Sequence, residues 1–166
     1  MIIIVEGIDR VGKSTFCKML QQKGYTVLDS KIHTSKAEVG EDVYDMLQEE
    51  RTIAQAQLLA LLDKSEKIVI DRFHLSQIVY GYYDRHRDNS VSMLLLEDLL
   101  IRNSILVLIR PTDVFISSQQ HGSDLTDHHN YFDKLFELSS LTKIRGSYND
   151  LDKLVYHITE VLEHGN

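Results

Sequence analysis

The chain has no tryptophan, one proline and one cysteine. A lone Cys17 cannot pair within the chain, which excludes a disulfide scaffold and makes a reducing cytoplasmic setting the expectation. Inside the first helical stretch it reads as a small buried hydrophobe. No apolar run approaches the ~18 residues of a membrane span, and Met1–Val5 is too short and too early for a signal peptide. There is no broad basic face. A net charge of −7 argues against general affinity for a nucleic-acid backbone, although a local basic groove stays open. No repeat or low-complexity segment occurs, and no Lys or Arg stands between Pro111 and Asp133.

With 166 residues, 43% of them hydrophobic and 26% charged, the expectation is a single soluble domain around one core. Apolar runs that read as buried parallel strands are Ile2–Val5, Tyr25–Leu28, Ile68–Ile70 and Ile105–Ile109, with a weaker candidate at Lys143–Ser147. Helical patterns lie between them: Ser14–Lys23, Val43–Lys64, Leu75–His86, Val91–Arg102, Thr112–Gln120, Tyr131–Leu141 and Leu151–Glu163. The alternation predicts a three-layer α/β domain, a parallel sheet of about five strands flanked by helices. Ligands in such sheets bind at the carboxyl ends of the strands.

The first of those ends carries Gly7-Ile8-Asp9-Arg10-Val11-Gly12-Lys13-Ser14-Thr15, which reads as G-x-x-x-x-G-K-S between a buried strand and a helix. Gly7 and Gly12 permit a tight loop whose N–H groups converge on an anion, and the helix behind adds unpaired N–H groups and its dipole. Val11, Gly12, Ser14 and Thr15 supply that backbone cradle. Lys13 reaches the β- and γ-phosphates, and the Ser14 hydroxyl is placed for Mg²⁺. The pattern implies binding of a nucleoside triphosphate.

A second constellation, Ile68-Val69-Ile70-Asp71-Arg72-Phe73-His74, is a buried strand ending in an acid and a base. Asp71 beside a phosphate loop can serve Mg²⁺, and Arg72 can offer a bidentate fork to a phosphate. A structural Asp–Arg pair is the alternative. Gln119–Asn130 is polar and turn-rich, and in a phosphotransferase such a segment is expected to be a lid; an ordinary surface loop is the other reading. His121, His128 and His129 lack any metal-ligand spacing and read as exposed loop histidines. Glu49-Glu50 and Asp84-Arg85-His86-Arg87-Asp88 read as solvated helix faces, with Arg85 and Arg87 held as nucleic-acid contacts should the acceptor be polymeric. Leu94–Leu96 and Leu99-Leu100 fit either a core helix or a homodimer helix.

Together the two constellations resemble the thymidylate kinases within the P-loop nucleoside monophosphate kinases. Val5 to Thr15 is similar to that family's E-G-x-D-x-x-G-K-S-T loop, and Asp71 to Tyr80 to its D-R-[YH]-x-x-S-x-x-A-Y element. Leu47 and Arg51 have the spacing of a family Phe and Arg that handle the base. The resemblance implies that Asp9 meets the 3′-hydroxyl of the acceptor's sugar and that Arg72 holds the acceptor phosphate. It further implies that Asp71 organises Mg²⁺, Tyr80 stacks under the deoxyribose, and Arg51 donates to the base. Arg10, paired with a lid segment lacking any base, corresponds to the family type whose catalytic arginine sits in the phosphate loop. Two departures stand out. Leu28–His33 replaces the family's R-E-P element, and Leu47 replaces an aromatic that stacks on thymine.

The function so implied is phosphoryl transfer from Mg-ATP to a deoxynucleoside monophosphate, dTMP or a related pyrimidine deoxynucleotide, with Lys13, Arg10 and Asp71 as the catalytic groups. Two alternatives stay open. A kinase of a hydroxyl, on a deoxynucleoside or on a modified base in DNA, would need Asp71 or Glu6 as a base. A nucleotide-binding regulatory protein would want D-x-x-G and N-K-x-D motifs, which are absent.

Overall fold

The computed structural model of the chain describes residues 1–29, 35–63, 65–112 and 123–162. Its centre is a parallel sheet of strands β1 (Ile2–Glu6), β2 (Thr26–Asp29), β3 (Ile68–Asp71), β4 (Ser104–Arg110) and β5 (Thr142–Ser147), in the order β2-β3-β1-β4-β5. The expected strands are all present. β1 and the inner part of β4 are buried throughout, whereas the edge strands β2 and β5 are largely exposed or half-buried. That is why the inner strands read as unbroken apolar runs, while β5, Thr-Lys-Ile-Arg-Gly-Ser, gave the weakest signal.

Register places the two functional loops side by side. Val5 pairs with Asp71, and the Arg72 N–H donates to the Val5 carbonyl at 2.9 Å. On the other flank Glu6 pairs with Leu108 of β4. The chain therefore leaves β1 and β3 at the same end of the sheet, next to each other.

Helix α1 (Lys13–Gln22) follows β1 and buries Phe16, Cys17 and Leu20 against the sheet. A short α2 (Lys36–Val39) leads into α3 (Glu41–Ala60), whose inward stripe is Asp45, Gln48, Thr52, Ala56 and Leu59. The stripe keeps helical spacing but changes chemistry along its length, polar in the first three positions and apolar in the last two. Helix α4 (His74–Arg85) follows β3 and buries His74–Val79 and Gly81. The stretch expected as one helix over 91–102 is two short ones, α5 (Ser90–Leu95) and α6 (Glu97–Leu100). Leu96 and Leu100 are buried there, while Leu95 and Leu99 are exposed.

Helix α7 (Ser123–Leu138) starts well before the expected Tyr131. Residues 123–130 of the segment expected to form a lid are the first half of this helix; residues 119–122, His121 among them, and nearly all of the helix expected at 112–120 lie outside the described residues. His128 and His129 are not exposed loop histidines, as expected, but buried helical ones. His128 stacks on Tyr83 at 4.4 Å between ring centroids and pairs with Asp84 at 3.3 Å, fixing α7 to α4. The chain ends in α8 (Leu151–Tyr156), continued by a wider turn over His157–Leu162.

Candidate active site

Gly7 and Gly12 both have positive φ, at 135° and 95°. A Cβ on Gly7 would run into the carbonyl oxygen of Ile109, and one on Gly12 would lie 2.5 Å from the ring of Tyr148. The loop is thus held by backbone on one side and by an aromatic side chain on the other. Between the glycines Arg10 also takes a left-handed φ of 63°, a conformation that non-glycine residues adopt at a cost of about 1–3 kcal/mol. Its side chain is exposed at the rim. Lys13 is buried and its ammonium donates to the Ile8 carbonyl, closing the loop on itself.

The Ser14 hydroxyl donates to Asp71 Oδ2 at 2.8 Å. The chain's two expected metal ligands are therefore adjacent although 57 residues apart in sequence. Among the described residues no group of three or more His, Cys, Asp or Glu could hold a metal ion. One hydroxyl and one carboxylate, both hard oxygen donors, are of the type that would hold Mg²⁺ together with substrate phosphates.

Arg72 has a φ of 70°, the second strained arginine of the site. Its guanidinium pairs with Asp9 and lies 5.0 Å from the Tyr80 ring centroid. What sets this turn is Glu6, fully buried at the end of β1. Its Oε1 accepts from the N–H groups of Phe73 (2.9 Å), Leu75 (3.0 Å) and Ser76 (3.2 Å), and its Oε2 accepts from the Ser76 hydroxyl. A carboxylate from another strand thereby caps the start of α4 and answers the positive end of its dipole. Burial raises the Tyr80 hydroxyl above its ordinary range, with Arg72 opposing. Cys17, behind the loop, is pushed up to about 12 by burial and by Asp71, so its thiol is an inert packing group.

Two cavities meet here. One, of about 300 Å³, is lined by Asp9, Arg10, Gly12, Lys13, Ser14, Thr15, Asp71, Arg72 and Tyr148. The other, of about 240 Å³, is lined by Lys36, Tyr44, Gln48, Arg72, Ser76, Gln77, Tyr80, Asp84 and Arg85. Arg72 lines both.

Of the expected site residues, the structure brings Asp9, Arg10, Gly12, Lys13, Ser14, Thr15, Asp71 and Arg72 to the first cavity, and Arg72 and Tyr80 to the second. Arg51 does not line the second cavity; it donates to the Asp29 carbonyl at 2.7 Å and ties α3 to β2. Leu47 is exposed. The α3 residues that do face the cavity are Tyr44 and Gln48, a pair of the same spacing one turn earlier. Arg85, expected on a solvated face, is instead drawn inward, bonded to Gln77 and 3.9 Å from the buried Asp45. Desolvation pulls its pKa down from the usual arginine range, with Asp45 and Asp84 opposing. Glu6 as a clasp and Tyr148 as a wall were also unforeseen. A signal for the α3 residues existed in Asp45, Gln48 and Thr52 falling on the stripe that Ala56 and Leu59 continue. For Tyr148 there was none, since it meets Gly12 only through the fold.

No family profile matches the sequence, and no curated protein matches it by sequence comparison. Solved structures do match. The YorR protein of Bacillus subtilis, solved in complex with phosphorylated GDP, superposes with a TM-score of 0.75 at 20% identity, covering 100% of this chain and 99% of that one. Thymidylate kinase from Candida albicans gives a TM-score of 0.58 at 16% identity, covering 99% and 91%. Deoxyadenosine kinase from M. mycoides, with dCMP and dCDP bound, gives 0.58 at 16% identity and covers 100% of both chains. The fold is that of P-loop kinases.

Proposed function

We propose that the protein is a P-loop nucleoside monophosphate kinase that transfers the γ-phosphoryl group of Mg-ATP to the 5′-phosphate of a deoxynucleoside monophosphate, of which dTMP or a related pyrimidine deoxynucleotide is the leading candidate. The observation that carries this reading is the shared wall: Arg72 lines both the phosphate-loop cavity and the Gln48–Gln77 cavity. A phosphate gripped there sits between a triphosphate on Lys13 and a nucleoside in the second cavity, and in-line transfer needs that alignment.

In this reading the loop N–H groups and Lys13 bind the donor's phosphates, and Arg10 neutralises charge on the transferring group. Ser14 and Asp71 would hold Mg²⁺, which when bound supplies charge neutralisation across the β- and γ-phosphates. Asp9 releases Arg72 for the acceptor phosphate and is then free to meet the sugar. Tyr80 backs Arg72 and forms the floor under the deoxyribose.

The hydroxyl-kinase alternative fares worse for a specific reason. A neutral hydroxyl needs a general base. Glu6 is fully buried with both carboxylate oxygens committed to the start of α4, and in the proposed reading Asp71 is taken up by Mg²⁺ beside Ser14. A monophosphate acceptor is already anionic and needs no such base. No helix among the described residues is long and apolar enough to cross a membrane.

The test is Arg72→Ala, assayed with ATP and the acceptor varied separately. Loss concentrated in kcat/KM for the acceptor, of about a hundredfold with KM for ATP nearly unchanged, is expected. Unaltered acceptor kinetics would show that the acceptor phosphate binds elsewhere.

A further inference from the structure

Four of the residues that line the second cavity form a short chain of polar side chains that runs in one direction. The Arg85 guanidinium donates to the Gln77 backbone carbonyl at 2.8 Å and to Gln77 Oε1 at 3.1 Å. Gln77 Nε2 donates to Gln48 Oε1 at 3.4 Å, and Gln48 Nε2 donates to the Tyr44 hydroxyl at 3.0 Å. Gln48 and Gln77 are each 9% exposed, and Asp45 lies against Arg85 from α3.

A free carboxamide can turn over and exchange its oxygen for its nitrogen, so one glutamine pairs equally well with a keto or an amino edge. A guanidinium has only donors. Gln77 must therefore give Arg85 its oxygen, which leaves its NH₂ for Gln48. Gln48 must in turn offer its oxygen to Gln77 and its NH₂ to Tyr44. The direction of every bond follows from the one residue that cannot reverse.

We infer that Arg85 is a positioning residue that locks the Gln77–Gln48 amide pair in one orientation, so that the cavity presents a fixed donor–acceptor order to the acceptor's base and separates keto bases from amino bases. This rests on the second cavity being the acceptor's nucleoside site. Thymine and cytosine have the same outline but reversed polarity along the edge next to the ring carbon that bears O4 or N4; guanine and adenine are reversed in the same sense. A locked amide leaves the wrong base with a donor facing a donor, and a site built to hydrogen-bond one pattern discriminates strongly against its opposite. An unlocked amide would accept both.

The two variants that test this have different expected results. Arg85→Ala frees both amides. Gln77→Glu keeps size and the Arg85 contact but offers Gln48 a carboxylate oxygen, forcing Gln48 to turn over and face Tyr44 with its own oxygen. Binding of dTMP, dCMP, dGMP and dAMP is measured by calorimetry on the full chain, alongside ADP release with Mg-ATP. The wild-type protein should separate keto from amino bases by about tenfold or more. Arg85→Ala should bring the two classes to within about threefold, and Arg85→Lys, which still only donates, should restore the order. Gln77→Glu should invert it.

The wild-type order persisting in both Arg85→Ala and Gln77→Glu, or no discrimination in the wild-type protein, would overturn the inference. Should Arg85→Ala fail to fold, the near-isosteric Gln77→Glu decides alone. Nucleotide binding with the expected order but no ADP release would refute the phosphoryl-transfer reading and uphold this one. Release of ADP with an unchanged order in both variants would do the reverse.

Discussion

Arg10 holds a left-handed backbone at the rim of the phosphate loop, and its exposed side chain contributes nothing to the core. A strained residue whose charge faces a cavity is best explained by what that charge does to a ligand. Arg10→Ala should lower turnover about a hundredfold or more while changing ATP affinity far less. Steady-state kinetics with nucleotide binding measured in parallel will show this, and equal losses in both would remove the assigned role. The two loop glycines make a paired prediction. Gly7→Ala sets its new methyl against the Ile109 backbone, which cannot move aside, whereas Gly12→Ala meets the ring of Tyr148, an exposed side chain that can. Thermal melts should therefore show the larger loss for Gly7→Ala, and Tyr148→Ala should recover part of the Gly12→Ala loss. At this scale the sequence was informative where a motif has backbone reasons for its letters: Gly7, Gly12, Lys13, Ser14, Asp71 and Arg72 all converge. It was least informative for side chains whose partners come from other elements, such as Glu6 and Arg85.

The joint between α4, α6 and the α7–β5 connection is a buried His74–Glu97 pair, with His74 Nε2 and Glu97 Oε1 2.7 Å apart. The other Glu97 oxygen accepts from the Ser140 N–H at 2.6 Å and hydroxyl at 2.9 Å. Burial alone would raise the Glu97 carboxyl, but the His74 hydrogen bond and charge, with the serine donors, hold it down from 4.5 to about 2. A carboxyl depressed in the folded state adds stability that is fully present above its unfolded pKa and is lost as pH falls through the folded one. The window here runs from about 4.5 down to about 2. Glu97→Gln should flatten that part of the stability–pH curve in chemical denaturation, leaving an already weakened protein less sensitive to acid. An unchanged acid limb would mean that other carboxylates set it. Inner strands were legible at this scale because burial on both faces writes them as apolar runs. The division of 91–102 into α5 and α6 was not, since no Gly or Pro marks it. The phase of α3 was missed because its inward stripe begins with Asp45 and Gln48, which imitate a solvated face, while Leu47 on the outside imitates a buried one.

Across the whole molecule, β1 and β3 end side by side, and in the proposed reaction each end supplies half. The β1 loop is the proposed donor site, the β3 turn carries Arg72, and Glu6 welds the second to the first from within the core. A protein that only bound a triphosphate would need the first cavity but not a second one sharing the same arginine. The α4–α7 contact through His128 makes residues 123–130 of the segment expected to be a lid part of a packed helix. The central claim is that the acceptor brings its own phosphate. ADP release from Mg-ATP, measured against deoxynucleosides and their 5′-monophosphates side by side, tests it most directly. The monophosphates should support turnover and the matching nucleosides should not, with Arg72→Ala lowering kcat/KM for the monophosphates about a hundredfold. Turnover with nucleosides and none with any monophosphate would contradict the account.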